Sequence, residues 1–330
     1  MENYSVILGV DVSKLTLDIS SAERRLHLKI PNDGKGFASF VKWCRLSGID
    51  LETAFVVLEH TGGYEYRFLQ FCESKNVCYC RVPGLEIKRS MGMTRGKSDQ
   101  IDSFRISRYG EEKIKRLKPD SRLDVNIIQL KQLLSYRKRL VRENAGLLNT
   151  IKERKHVFQS PGSDIITRLS KQKMRMNERL TATIEGEIRR LIESNESFLK
   201  NYRILTSIKG IGPVNAWMTI AYTGNFTGFR DARKYAVYVG VIPFDNFSGT
   251  SIKGRKRVSH LANKELKQEL TQAARVAIIH DKEIKAYAER KLVNKHFGVV
   301  VNNVRFKLLL RIFSLIKRGE LYVGDYLKAS

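Results

Sequence analysis

The run Ser5-Val6-Ile7-Leu8-Gly9-Val10-Asp11-Val12-Ser13 decides the fold. Its aliphatic, largely β-branched residues read as a buried strand. Asp11 sits inside that run. An ionised carboxylate is costly to bury without a cation, a set of donors, or water at the strand end, although an Asp solvated where its strand leaves the sheet would give the same pattern. A second strand of the same design, Ala54-Phe55-Val56-Val57-Leu58-Glu59, ends on Glu59, and Asp99 and Asp102 follow in Gly96-Lys97-Ser98-Asp99-Gln100-Ile101-Asp102. If these four carboxylates converge, the fitting occupant is one or two hard divalent cations.

Outward from Asp11, residues 4–31 carry three consecutive strands, over 6–12, 15–20 and 26–30. The middle one alternates Leu15, Leu17 and Ile19 against Thr16, Asp18 and Ser20, as a half-buried antiparallel strand does. A helix follows over 33–46, with Phe37, Phe40, Val41 and Cys44 at helical spacing and Gly48 closing it. Then come the Glu59 strand, a helix near 64–74, a strand over 77–82 and a helix around 99–109. Three strands and then alternating helix and strand is the order of the ribonuclease H-like fold. In open α/β sheets ligands gather beyond the carboxyl ends of the parallel strands, which both Asp11 and Glu59 can reach. Asp99 and Asp102, three apart, share a helix face. Acidic residues are favoured at any helix start; the mutual repulsion of this pair is what a cation would relieve.

Beyond residue 125 the pattern changes. Leu130, Leu133, Arg137, Leu140, Asn144, Leu147 and Ile151 step by three and four, a coiled-coil-like seam with two polar breaks. Ser160-Pro161-Gly162-Ser163 interrupts it. A second such helix starts at Asp164, with Leu169, Met176, Leu180, Ile184, Ile188 and Leu191. The pair reads as a long helical hairpin or dimerisation arm; two packed core helices have the same pattern. In the third region, Leu205 to Pro213 looks like a helix-hairpin-helix turn, in which Lys209, Gly210 and Gly212 would let backbone N–H groups approach a phosphate. A helix over 230–237 follows. Phe247-Ser248-Gly249-Thr250-Ser251-Ile252-Lys253-Gly254-Arg255-Lys256-Arg257 reads as a loop closing on a phosphodiester through Lys253, Arg255, Lys256 and Arg257. A basic loop that only grips the backbone would look the same. Helices over 264–280 and through Val300, Val304, Leu308, Ile312 and Leu315 end the chain near Gly319. The fold class is α/β plus α, divided into 1–115, 116–200 and 201–330.

Lysine and arginine number 60 against 34 acidic residues in 330, a net charge of +26, while 42% of residues are hydrophobic. The chain is therefore a folded one whose excess charge fits a polyanionic partner. Anionic membrane is the rival. No apolar run reaches the ~18 residues that span a bilayer, and Glu2 and Asn3 lead into a strand rather than a signal peptide's basic segment, so nucleic acid is favoured. Cys44, Cys72, Cys78 and Cys80 lack zinc-knuckle spacing and read as reduced thiols of a cytoplasmic protein, with no structural metal.

Three blocks then resemble one family: Gly9-Val10-Asp11-Val12-Ser13-Lys14 with Leu58-Glu59-His60-Thr61-Gly62; Lys97-Ser98-Asp99-Gln100-Ile101-Asp102; and Ile208 to Pro213 through Gly240 to Gly254. In order and spacing they are similar to the DEDD-type transposases and recombinases of bridge-RNA-guided insertion sequences, a group that includes the pilin-gene invertases. The resemblance implies a RuvC-like N-terminal domain, a coiled-coil segment and a C-terminal transposase domain. It places the metal-binding carboxylates on Asp11, Glu59, Asp99 and Asp102, with Mg²⁺ or Mn²⁺ as cofactor. The family's nucleophilic serine falls on Ser248, with Ser251 as the alternative. It further implies donor and target DNA, a noncoding guide RNA, a nucleoid-associated location, and dimers or tetramers whose active sites join two protomers. No histidine fits a general base, and His60 reads as packing or support beside Glu59. Two rival readings are a RuvC-like junction resolvase using water and a non-catalytic nucleic-acid-binding protein on a degenerate nuclease fold.

Overall fold

Strands β1 (Val6–Val12), β2 (Thr16–Ser21) and β3 (Leu26–Pro31) form an antiparallel meander with Asp11 opposite Asp18 and Asp18 opposite Lys29. Helix α1 (Gly34–Leu46) starts at Asp33, whose side chain accepts from the Gly36 amide. Strand β4 (Ala54–Glu59) returns parallel to β1, and after helix α2 (Tyr66–Ser74) strand β5 (Cys78–Val82) lies parallel to β4. The sheet order is β3-β2-β1-β4-β5. The aliphatic strand at the N-terminus is thus the central one, as its continuous hydrophobicity requires.

The computed structural model describes residues 4–90, 98–159, 164–229, 231–248 and 252–324. The chain divides into two compact units, Met1–Leu123 and Asp124–Ser330. In the first, one sheet face buries Leu8, Val10, Leu17, Ile19, Val56 and Leu58 against Phe37, Phe40, Phe68 and Leu69 of α1 and α2. The opposite face carries Ile7, Phe55 and Val57 under helices α3 (Gly84–Ser90) and α4 (Asp99–Lys113). Leu15, predicted to continue the buried row of β2, is 74% exposed because it belongs to the turn that precedes the strand. The four cysteines are free, three of them buried.

The second unit is helical. Helices α5 (Val125–Val157) and α6 (Ile165–Glu193) pair along their length; the Ser160–Pro161–Gly162–Ser163 break lies outside the described residues. Near the middle the seam is polar: the Asn177 amide donates to the Asn144 Oδ1 at 2.9 Å, and Arg137 pairs with Glu185 at 2.8 Å. Thr167, Ser170 and Asn177 are the buried positions of the distal half of α6, whereas Leu169 and Met176, predicted for the seam, are each 54% exposed. Asn177, which bonds across the pair to Glu143 and Asn144, helps fix which face turns inward. Nearer the other end, Ile127, Leu130, Leu134, Ile188 and Leu191 join one core with Phe198, Trp217, Tyr235, Leu266 and Leu308. That core is completed by helices α7 (Glu196–Ser207), α8 (Pro213–Thr223), α9 (Ala232–Val239), α10 (Lys264–His280), α11 (Lys282–Leu292) and α12 (Phe297–Arg318).

Where a basic loop was predicted, the backbone forms a two-stranded antiparallel hairpin, β6 (Phe244–Ser248) with β7 (Ile252–Arg257). Its sequence lacks the alternation of a half-buried strand because this ribbon is not part of the main sheet.

Candidate active site

The site of the first unit is built on one row across the sheet. Lys29, Asp18 and Asp11 are direct ladder neighbours, and Val10 pairs with Leu58, which brings Glu59 beside Asp11 on β4. All lie on the face that α4 covers. That helix comes close because its contact positions are small: a Cβ on Gly9 would lie 2.1 Å from the Ser107 amide nitrogen, and one on Gly110 would lie 2.6 Å from Ile7. Ser20 and Ser103 share a buried hydrogen bond of 2.7 Å, and the Ser107 hydroxyl donates to the Ile7 carbonyl. Ser98 caps α4 by accepting from the Ile101 amide, which sets Asp99 and Asp102 in its first turn.

The consequence is electrostatic. Burial raises the Asp11 carboxyl, and the charges of Asp99, Asp102, Asp18 and Glu59 raise it further, to about 6. The other three predicted carboxylates therefore all bear on Asp11. Protein cations partly balance them: Arg105 pairs with Asp102 at 2.8 Å, and Lys29 bridges Asp18 at 3.2 Å and Asp99 at 3.5 Å. Glu59 is seated against Gly84, where a Cβ would come within 1.9 Å of its Oε1. Among the described residues no group of three or more His, Cys, Asp or Glu side chains is close enough to hold an ion outright. The donor set still fits a divalent cation: it is all carboxylate oxygen, suited to a hard metal, and Asp99, 61% exposed, is held only by Lys29 at 3.5 Å among the described ion pairs.

Asp18 is a site residue that sequence reasoning passed over. It is 3% exposed and accepts from His27 Nε2 at 3.0 Å and from Lys29. The alternation of β2 placed it on the polar face with Thr16 and Ser20, which is the face that α4 buries. Past Glu59, the buried Glu65 organises the following loop by accepting from Thr61 Oγ1 at 2.5 Å and the Gly63 amide at 2.7 Å. His60 lies 3.5 Å from its other oxygen and also accepts from the Gly62 amide, a supporting place beside that loop.

In the second unit, the Lys209–Gly212 turn joins α7 to α8. Gly210, at φ +96°, is packed on α10, where a Cβ would lie 2.4 Å from the Ala273 carbonyl oxygen. Lys209 and Gly212 are exposed, and no side chain caps α8 at Gly212, so first-turn amides there face outward with a positive helix end. Ser248 is the last ladder position of β6, opposite Ile252; Phe247 is opposite Lys253 and Phe244 opposite Arg257. Arg255 and Lys256 lie on the same strand, whereas Gly249, Thr250 and Ser251 lie outside the described residues. No helix among the described residues is long and apolar enough to cross a membrane.

A sheet of this order with carboxylates gathered on its α4 face is consistent with a DEDD-type nuclease domain. A family model described as Transposase, for the IS110-type DEDD enzymes, matches residues 8–154, and another, described as Transposase IS116/IS110/IS902 family, matches residues 202–289. The chain belongs to the IS110 family of transposases. It is also similar to the Insertion element IS110 uncharacterized 43.6 kDa protein of Streptomyces coelicolor, 26% identical over 141 residues. That match covers 42% of this chain and 33% of the relative, so the chain aligns with about a third of the relative's length.

Proposed function

We propose that the chain is a DNA transposase or recombinase that cuts and rejoins strands at a divalent-cation carboxylate site, with Ser248 as nucleophile. The observation that carries this reading is the placement of Asp11 and Glu59 on neighbouring strands of the face that α4 covers, with Asp99 and Asp102 in the first turn of α4. Asp11, Glu59, Asp99 and Asp102 would hold Mg²⁺, with Mn²⁺ as a substitute. When bound, the cation offsets charge on the phosphoryl oxygens. The protein's own part begins with Ser248 Oγ attacking the phosphorus. A phosphoserine bond forms, the bond to the leaving strand's oxygen breaks, and that oxygen takes up a proton. Because one ester replaces another, a strand hydroxyl can reverse the step without ATP. Lys253, Arg255, Lys256 and Arg257 hold the backbone, as do Lys209 and the Gly212 end of α8.

We further infer three parts, RuvC-like (1–115), coiled-coil (116–200) and transposase (201–330), acting in the cytoplasm on donor and target DNA under a noncoding guide RNA. The working form is a dimer or tetramer in which the carboxylates of one protomer meet the serine of another. Trapping a protein–DNA adduct on a denaturing gel tests the chemistry. Ser248→Ala should bind DNA, form no adduct and give no recombinant, while Ser251→Ala keeps part of the activity. An adduct that persists in Ser248→Ala and vanishes in Ser251→Ala would move the nucleophile to Ser251. Recombination by both variants would make water the nucleophile and the protein a junction resolvase.

A further inference from the structure

Lysines and arginines outnumber acids on this chain 60 to 34, and three of them cluster on α10 and α12. Lys267 and Arg275 are two turns apart on one face of α10, and Arg305 lies on α12, which packs against it. Among the described residues none of the three has a carboxylate partner. They are near enough to disfavour one another's charge: burial and the Arg305 charge push the Lys267 ammonium down, and burial and Arg275 push Arg305 down. Arg305 is also positioned. Its Nη1 donates to Asn302 Oδ1 at 2.9 Å, and the Asn302 amide donates to the Val241 carbonyl at 2.9 Å. Its Nε–H is buried and has no acceptor, a loss of the kind native proteins rarely leave uncompensated.

Packing fixes where this cluster lies. Gly240, at φ +77°, ends α9 so closely against Val258 and Ala262 that a Cβ would lie 2.4 Å from Ala262. Val241, held by Asn302, is three residues before β6 begins. The cluster therefore sits at the root of the hairpin that carries Ser248. Three like charges and a fixed guanidinium suit an anion with several oxygens, and a guanidinium fork suits a phosphodiester.

We propose that Lys267, Arg275 and Arg305 form a phosphate seat that holds the DNA backbone beside the phosphodiester handled by the β6–β7 hairpin. The proposal rests on the recombinase reading and extends it to a second contact on the same strand. Such a seat positions DNA without reading its sequence.

The test is a salt titration of the full chain binding a mixed-sequence DNA duplex. Removing a cation that neutralises one phosphate should lower the slope of log affinity against log salt by about one. Arg305→Gln, Lys267→Gln and Arg275→Gln are each expected to do so, while Lys285→Gln, which removes one exposed charge from α11, leaves the slope unchanged. Arg275 is exposed, so its variant carries the same criterion if one of the others fails to fold. Melting the free protein separates a structural role: relieving repulsion should leave Tm unchanged or raised. Wild-type slopes in all three variants overturn the seat, as does a lowered Tm with the slope retained. So does a slope that changes with an RNA probe and not with DNA. A wild-type protein with no steep salt dependence on DNA overturns the recombinase reading, and the seat with it.

Discussion

Asp11 makes the pH dependence of this protein readable from one residue. Its folded pKa, about 6, lies above its ordinary value. Its contribution to stability is therefore fully present below the ordinary value and is lost as pH rises through about 6. Asp11→Asn should match the parent in Tm near about pH 4 and exceed it at neutral pH, by roughly 2–4 °C for each kcal/mol relieved, while abolishing cleavage. Adding a divalent ion at neutral pH should close the gap by raising the parent alone. A lower Tm for the variant at neutral pH would mean that protein donors, not a cation, compensate the charge. Gly84→Ala tests Glu59 without touching a charge, since the three atoms nearest the added methyl all belong to the Glu59 carboxyl. Cleavage should fall about 10- to 100-fold, the usual effect of disturbing the support of a metal ligand, with Tm nearly unchanged. Asp11 and Glu59 were legible because each breaks an apolar run. Asp18 was not, because an alternating strand shows which residues share a face and cannot show that a helix covers the polar one.

At the scale of elements, α4 decides whether the site exists. Its register over β1 depends on the absent side chain of Gly9, and a methyl there meets backbone atoms of Ser103 and Ser107 that cannot turn aside. Gly9→Ala should therefore lift the N-terminal end of α4 from the sheet. The cost is about 1–3 kcal/mol, as for other overpacked cores, read as a shifted urea midpoint, with weaker divalent-ion binding in the same variant. Unchanged stability and ion binding would show that the helix can slide. The sheet itself was legible because its strands are long and apolar. The β6–β7 hairpin was not: a ribbon outside the main sheet, rich in cations and small residues, carries no hydrophobic period. The distal half of α6 misled for the opposite reason. Leu169 and Met176 supply an apolar period on a face that α5 does not cover, while Thr167, Ser170 and Asn177 face inward.

At the scale of the whole molecule, the carboxylates belong to Met1–Leu123 and Ser248 to Asp124–Ser330. The proposed composite site makes a prediction that a site within one chain cannot share. Asp11→Asn and Ser248→Ala should each be inactive alone. In a mixed oligomer with composite sites, one site takes its carboxylates from the Ser248→Ala protomer and its serine from the Asp11→Asn protomer. Both halves of that site are intact, so co-expressing the variants should restore covalent adduct, and the adduct should form only on the Asp11→Asn chain, identifiable by a size tag. If each chain served its own site, every site in the mixture would carry one lesion and no adduct would appear. The charge of +26 supplies the internal control. Both variants leave the basic surface intact, so each should bind DNA with the parent's steep salt dependence. Failure of the mixture then reflects the chemistry of the site and not loss of the substrate.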